Sequence, residues 1–235
     1  MTLKKLYIIG DSHAEMCRRV AARTKLVSDA CQIVYRPFGA VKQGIRLHHR
    51  LDGKAITLLE DNWREKTLPF DPADIGSAEV GYCLSLPFNS LPMLRLMQPQ
   101  RFTFFRADPR RAFLSKQAMR ELILRRNQLG VALARDMVGI GLNTFVMEAP
   151  RPFENHEYVS ENQASFDLLC QEFYRQTTES LLAVGAQIIG QPAQTINPQG
   201  RTRGEFSEGD QQHGTPAYYG LQIEAAIDAF TRSFA

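Results

Sequence analysis

Five short apolar runs, each closed by glycine or proline and separated by stretches of helical periodicity, leave this chain few folds to adopt. Residues 6–9 (Leu-Tyr-Ile-Ile) run into Gly10, and residues 31–35 are stopped by the Arg-Pro-Phe-Gly of 36–39. Residues 80–86 end at Pro87, residues 143–148 before Pro150 and Pro152, and residues 186–189 at Gly190 and Pro192. Each run has the length and bounds of a buried strand. Between and after them lie amphipathic stripes. Phe166, Leu169, Cys170, Phe173, Thr177, Leu181 and Val184 form one, and Tyr219, Ile223, Ile227 and Phe230 another. Residues 14–23 predict a helix directly behind the first strand. Parallel strands need a crossover, usually a helix, so alternating strand and helix signals predict a parallel α/β sheet.

Two stretches do not fit a simple crossover. Residues 40–77 hold a helical stretch, a short apolar run at 56–59 and the single tryptophan, Trp63. Residues 101–106 alternate like a strand before a long basic helical segment to about Val138. Segments 40–77 and 99–126 are therefore expected as insertions over the carboxyl ends of the strands, where binding loops and lids form. The whole chain, 1–235, is expected to be one domain. At 235 residues, 44% hydrophobic and 23% charged, it has an ordinary globular composition, and a net charge of +3 is too small to imply a nucleic-acid partner. The eight Lys/Arg against two acids in 101–126 read as a solvated helix face.

Cys17, Cys31, Cys83 and Cys170 lie inside apolar segments, with no pairing or His spacing that suggests zinc, and read as small core side chains. His48, His49 and His156 read as surface residues. No run nears the roughly 18 apolar residues of a membrane span. Residues 1–5 lead straight into the first strand with no room for the apolar core of a signal peptide, so the expected location is cytoplasmic. The oligomeric state has no signal in the sequence.

Chemistry-bearing residues gather at two points. Gly10-Asp11-Ser12-His13-Ala14 puts a hydroxyl at a strand-to-helix turn, where free amides and the positive end of the helix favour developing negative charge. Gly209-Asp210-Gln211-Gln212-His213-Gly214 puts a carboxylate and an imidazole three residues apart, able to lie on one side of a turn. An Asp-x-x-His by itself is common and often only a helix cap. Its place counts here: it follows the fifth strand, at the sheet end where its loop can meet the loop after the first strand. Ser12 and His213 can then meet, with His213 as general base and Asp210 as its orienting group.

Gly10-Asp11-Ser12 near one end and Asp210-x-x-His213 near the other resemble the first and last sequence blocks of the SGNH (GDSL) hydrolase family. The resemblance spans the chain in block order. It implies a flavodoxin-like three-layer sandwich with about five parallel strands and helices on both faces, and a serine esterase acting on short-chain O-acyl esters. By resemblance Ser12 is the nucleophile, His213 the base and Asp210 its partner. It also implies an oxyanion hole made of the Ser12 amide, the Gly39 amide after the second strand and the Asn89 side chain after the third. Glycine bares its backbone N–H and asparagine offers an uncharged NH₂ donor, which suits both positions. Pro87 and Ser90 depart from that family's third block, where Gly and Asp are usual, so Asn143 and Asn62 stay open as alternatives to Asn89, and Gly44 to Gly39. The Gly-Asp-Ser-His-Ala form also resembles domains that handle O-acyl groups on polysaccharides, which implies a carbohydrate ester and puts His13 near substrate. Such chemistry requires no cofactor and no metal.

Other classes begin from the same residues. Transfer of the acyl group to a sugar hydroxyl, rather than to water, would use every residue named above. Asp11-x-His13 after a strand also opens two-metal phosphoesterase sites, but the further Gly-Asp-x-x-Asp and Gly-Asn-His patterns that such sites need do not occur. A non-catalytic carbohydrate-binding module would lack a triad member, and none is missing.

Overall fold

The computed structural model describes residues 4–24, 28–38, 48–59, 67–98, 101–105, 108–157, 159 and 162–234. Five strands, β1 (Lys5–Gly10), β2 (Gln32–Pro37), β6 (Val80–Leu84), β9 (Asn143–Met147) and β10 (Gln187–Ile189), form one wholly parallel sheet in the order β10-β9-β6-β1-β2. Counted along the chain, these five strands lie in the order 2-1-3-4-5, the flavodoxin-like winding. The topological switch falls between β1 and β6, and the turn bearing Ser12 leaves the sheet there.

The side-chain period of two divides β1 between two cores. Leu6 and Ile8 face helices α1 (Ser12–Thr24) and α5 (Pro216–Arg232), where they pack with Ala14, Cys17, Tyr219, Ile223 and Phe230. Tyr7 and Ile9 face the other side, against Met119, Ile123 and Met137 of α3 (Lys116–Gly139) and Phe166, Leu169 and Phe173 of α4 (Gln163–Ala183). This is the expected three-layer α/β sandwich, and both helical stripes read from the sequence pack on the sheet.

The two irregular stretches behave differently. The apolar run at 56–59 becomes β4 (Ala55–Leu58) in a small antiparallel sheet, β3 (His49–Asp52), β4 and β5 (Thr67–Leu68). Ile56, Leu58 and Leu68 are buried in the Tyr7 core, so the strands β4 and β5 cover a face of the main sheet beside α3. The strand expected at 101–106 shrinks to β7 (Phe102–Thr103), paired with β8 (Ala112–Phe113). There the Asn162 amide donates to the Phe102 carbonyl at 3.1 Å, which puts this piece beside the start of α4, at the carboxyl end of the sheet. Lys116, Arg120, Arg125 and Arg126 are exposed on α3, the solvated face their spacing predicts. Trp63 and Asn62 lie outside the described residues. Among those described, no helix is long and apolar enough to cross a membrane.

Cys17, Cys31 and Cys83 are buried as expected, and Cys170 is partly so; all are free thiols. Two of the histidines read as surface residues are not. His49 is nearly buried, with Nε2 2.8 Å from Asp136 Oδ2 on α3, which ties the small sheet to that helix. His156 is 2% exposed, its ring packed on Phe166. His49 opens a short strand and His156 lies on the connection after β9, neither of which shows a hydrophobic period, so the sequence held no sign of this burial. Burial, with the nearby charge of Arg95, lowers the His156 pKa from 6.5 to about 4. Between those values the unfolded chain binds a proton that the folded one refuses. The contribution is complete above about 6.5 and is lost as pH falls toward 4. Urea unfolding followed from pH 7 to 4 should therefore show stability falling with acid, and His156→Gln should flatten that slope by about 1.4 kcal/mol per pH unit. An unchanged slope would place the acid sensitivity elsewhere.

Candidate active site

The turn from β1 into α1 is built by three residues that have no acid–base part to play. Gly10 adopts φ +132°, and a Cβ there would stand 2.2 Å from Ser85 Oγ, so only glycine lets β1 end against the residue that follows β6. Ser85 is fully buried; its hydroxyl donates to Asp11 Oδ1 at 3.0 Å and accepts the Asp11 N–H at 3.2 Å. Asp11 Oδ1 also accepts the His13 N–H at 3.0 Å, capping the first turn of α1. Ser12 opens the helix, where no carbonyl within the helix can take its N–H. Asp11 is thus a structural carboxylate. Ser85 was not singled out in the sequence, since a serine after a strand carries no signal of its own.

The Asp210–His213 loop is closed by backbone pairing rather than by packing. Ser207 and Gly214 form an antiparallel bridge, and the Glu208 N–H donates to the His213 carbonyl at 3.0 Å. Asp210 Oδ1 accepts the N–H groups of Gln212 and His213 at 2.9 and 2.7 Å. Gly214 lies against the first turn of α5, where a Cβ would meet the Tyr218 side chain at 2.6 Å. Thr215 caps that helix and Pro216 is its first residue.

These two loops bring three of the expected residues together. His213 Nε2 is 3.0 Å from Ser12 Oγ, and His213 Nδ1 is 2.5 Å from Asp210 Oδ2. Burial raises the Asp210 pKa, but hydrogen bonds from the His213 ring and the two backbone amides outweigh it and hold the group below the usual carboxylate range. An ionised Asp210 accepts a hydrogen bond from Nδ1–H, which keeps the proton on that nitrogen and leaves the Nε2 lone pair to accept the Ser12 hydroxyl. The imidazole is about one-fifth exposed and the carboxylate about half, so the group opens to solvent.

The remaining expectations divide. Gly39 and Gly44 lie outside the described residues. Asn89 sits four residues past Ser85 on a well-anchored loop. Phe88 is buried and stacks on Tyr174 at 6.2 Å, Tyr174 donates to Ser90 Oγ at 3.2 Å, and Pro87 approaches Gly130 of α3 so closely that a Cβ there would be 2.7 Å away. Asn89 Oδ1 accepts the Leu91 N–H at 3.1 Å, which orients the amide and leaves its NH₂ as the donor. Asn143 opens β9 at the amino end of the sheet and bonds Gln187, so it is no alternative to Asn89.

His13, expected near substrate, is instead 1% exposed. Its Nδ1 meets the Tyr219 hydroxyl at 2.8 Å and its ring lies 5.3 Å from that of His213. Burial lowers its pKa, against the opposing pull of Asp11. Among the described residues no cluster of three or more His, Cys, Asp or Glu could hold a metal ion.

No protein-family model matches the chain, and no curated protein matches it in sequence. Among solved structures, the fold is similar to that of a Streptococcus pneumonia protein described as a candidate platelet activating factor. That alignment has a TM-score of 0.50 at 16% identity and covers 98% of this chain and 85% of that one. An α/β hydrolase enzyme from the metagenome of Lake Arreo, Spain, aligns with a TM-score of 0.47 at 11% identity, over 99% of this chain and 96% of its own. At 16% identity the first likeness is one of fold.

The turn makes its own prediction. Gly10→Ala forces a strained φ and drives a methyl into Ser85, so it should cost about 1–3 kcal/mol in urea unfolding. A variant as stable as wild type would mean that Ser85 does not fix this turn.

Proposed function

We propose that the protein is a serine esterase of the SGNH type that cleaves short-chain O-acyl esters, with a carbohydrate as the alcohol. One observation carries the reading: Ser12 Oγ, His213 and Asp210 form a continuous hydrogen-bonded line across 201 residues of sequence. Such an alignment of hydroxyl, imidazole and carboxylate suits nucleophilic catalysis. The resemblance of the Gly-Asp-Ser and Asp-x-x-His blocks supports the choice of family, and the Gly-Asp-Ser-His-Ala form supports the choice of alcohol.

In this reading Ser12 Oγ attacks the ester carbonyl as its proton passes to His213 Nε2. The imidazolium is stabilised by Asp210, whose depressed pKa keeps it charged. The oxyanion lies among the Ser12 and Gly39 amides and the Asn89 NH₂. His213 then gives its proton to the departing alkoxide, leaving an acyl-Ser12. Water, deprotonated by the same imidazole, attacks that ester and restores the free hydroxyl. The neutral state favoured for His13 matters here, because a second cation 5.3 Å away would oppose the imidazolium.

Hydrolysis of an activated acetate ester is the test. Ser12→Ala should lower kcat by at least about a thousandfold, and a chelator should leave wild-type turnover unchanged. Turnover surviving in Ser12→Ala, or lost to the chelator, would point to Asp11 and His13 as metal ligands instead. Asn89→Ala should lower kcat about a hundredfold or more, with KM little altered. An undiminished kcat would take Asn89 out of the oxyanion hole.

A further inference from the structure

Tyr219 entered the sequence as one member of an apolar helical stripe, yet its hydroxyl sits between the two loops of the site. It lies in the first turn of α5, is 1% exposed and meets His13 Nδ1 at 2.8 Å. Gly214 packs against the same helical turn, where a Cβ would meet the Tyr218 side chain at 2.6 Å. His13 is the residue after Ser12, and α5 begins just past Gly214, the residue after His213, so this hydroxyl ties the neighbour of Ser12 to the helix that follows the His213 loop.

We propose that Tyr219 is a positioning residue: its hydroxyl, bonded to the His13 ring, ties the start of α5 to the turn bearing Ser12 and so sets the distance between Ser12 and His213. The inference rests on the roles proposed above for those two residues. His13 Nε2 is buried and has no partner among the described residues, so the bond to the Tyr219 hydroxyl is the one that orients the ring. Ser12 is otherwise positioned by α1 and His213 by the 207–214 loop, two segments that share no backbone pairing in the strands and bridges described. Apolar packing of α1 on α5 carries no directional preference, so a hydrogen bond across it adds an angular restraint, and small displacements of reacting groups are costly in rate.

Tyr218 supplies a matched control. It adjoins Tyr219, is fully buried, and its hydroxyl has no partner among the described residues. The experiment measures the rate at which a fluorophosphonate probe labels Ser12, with kcat and KM on an acetate ester, in wild type, Tyr219→Phe and Tyr218→Phe. Tyr219→Phe should label about tenfold more slowly and lose kcat in proportion at unchanged KM, while its thermal unfolding matches that of Tyr218→Phe. Tyr218→Phe should label at the wild-type rate. Equal labelling of wild type and Tyr219→Phe overturns the proposal, and so does equal slowing in both variants. Wild type left unlabelled removes the nucleophile assignment itself, and the proposal with it, a result distinct from equal labelling. Should Tyr219→Phe not fold, His13→Asn and His13→Leu carry the same test. Asn keeps an acceptor near the place of Nδ1 and should retain labelling; Leu lacks one and should lose it. Equal rates in that pair overturn the proposal.

Discussion

The hydroxyl of Ser85 and the carboxylate of Asp11 hold the site in place. Their two hydrogen bonds, made at the carboxyl ends of adjacent parallel strands, fix where β1 stops and α1 begins. The contact is so close that the residue between strand and turn must be glycine. In the 2-1-3-4-5 winding, β1 and β6 are the strands at which connections diverge to opposite faces, leaving a crevice above them. A hydroxyl placed on the next residue stands at the mouth of that crevice with helix amides beneath it. The buried carboxylate of Asp11 is satisfied by the turn it builds, so its charge serves the architecture, while that of Asp210 is left for the imidazole.

The two loops reach their positions by different physics. The Ser12 turn is rigid because it is packed and hydrogen-bonded in the interior. The 207–214 loop is half-exposed and is held by a bridge, by amides that converge on Asp210, and by the capped start of α5. An imidazole on such a loop needs a second restraint to stay within hydrogen-bonding reach of a serine on a different element. Its carboxylate fixes the tautomer and the plane of the ring. The Tyr219 hydroxyl acts from the start of α5, which follows that loop, on the ring of the residue next to Ser12.

Much of this was legible in the chain. The parallel sheet followed from apolar runs closed by Gly and Pro, because buried parallel strands demand continuous apolar stretches and crossovers demand amphipathic helices. Ser12, Asp210 and His213 were legible from their places after the first strand and before the last helix. Other features were not. His49 opens the short strand β3 and His156 lies on the connection after β9, so their burial came only from what other elements lay over them. Segment 40–77 is expected from the sequence to lie over the strand ends, but within it the alternating Ile56 and Leu58 are buried in the core on the Tyr7 side of the sheet. His13 was placed by the letters around it, and burial behind His213 gave it Tyr219 as a partner.

The sequence by itself determined the alternation of parallel strands with helices and the two points where polar chemistry interrupts apolar pattern. These depend on local period and on turn residues, which neighbouring amino acids specify. Only the tertiary structure decided that Ser12 and His213 stand 3.0 Å apart, that Ser85 braces the turn, and that the Tyr219 hydroxyl meets the His13 ring. Those contacts join residues separated by 74 to 206 positions. Their geometry is set by how whole strands and helices pack, and no local stretch of sequence encodes it.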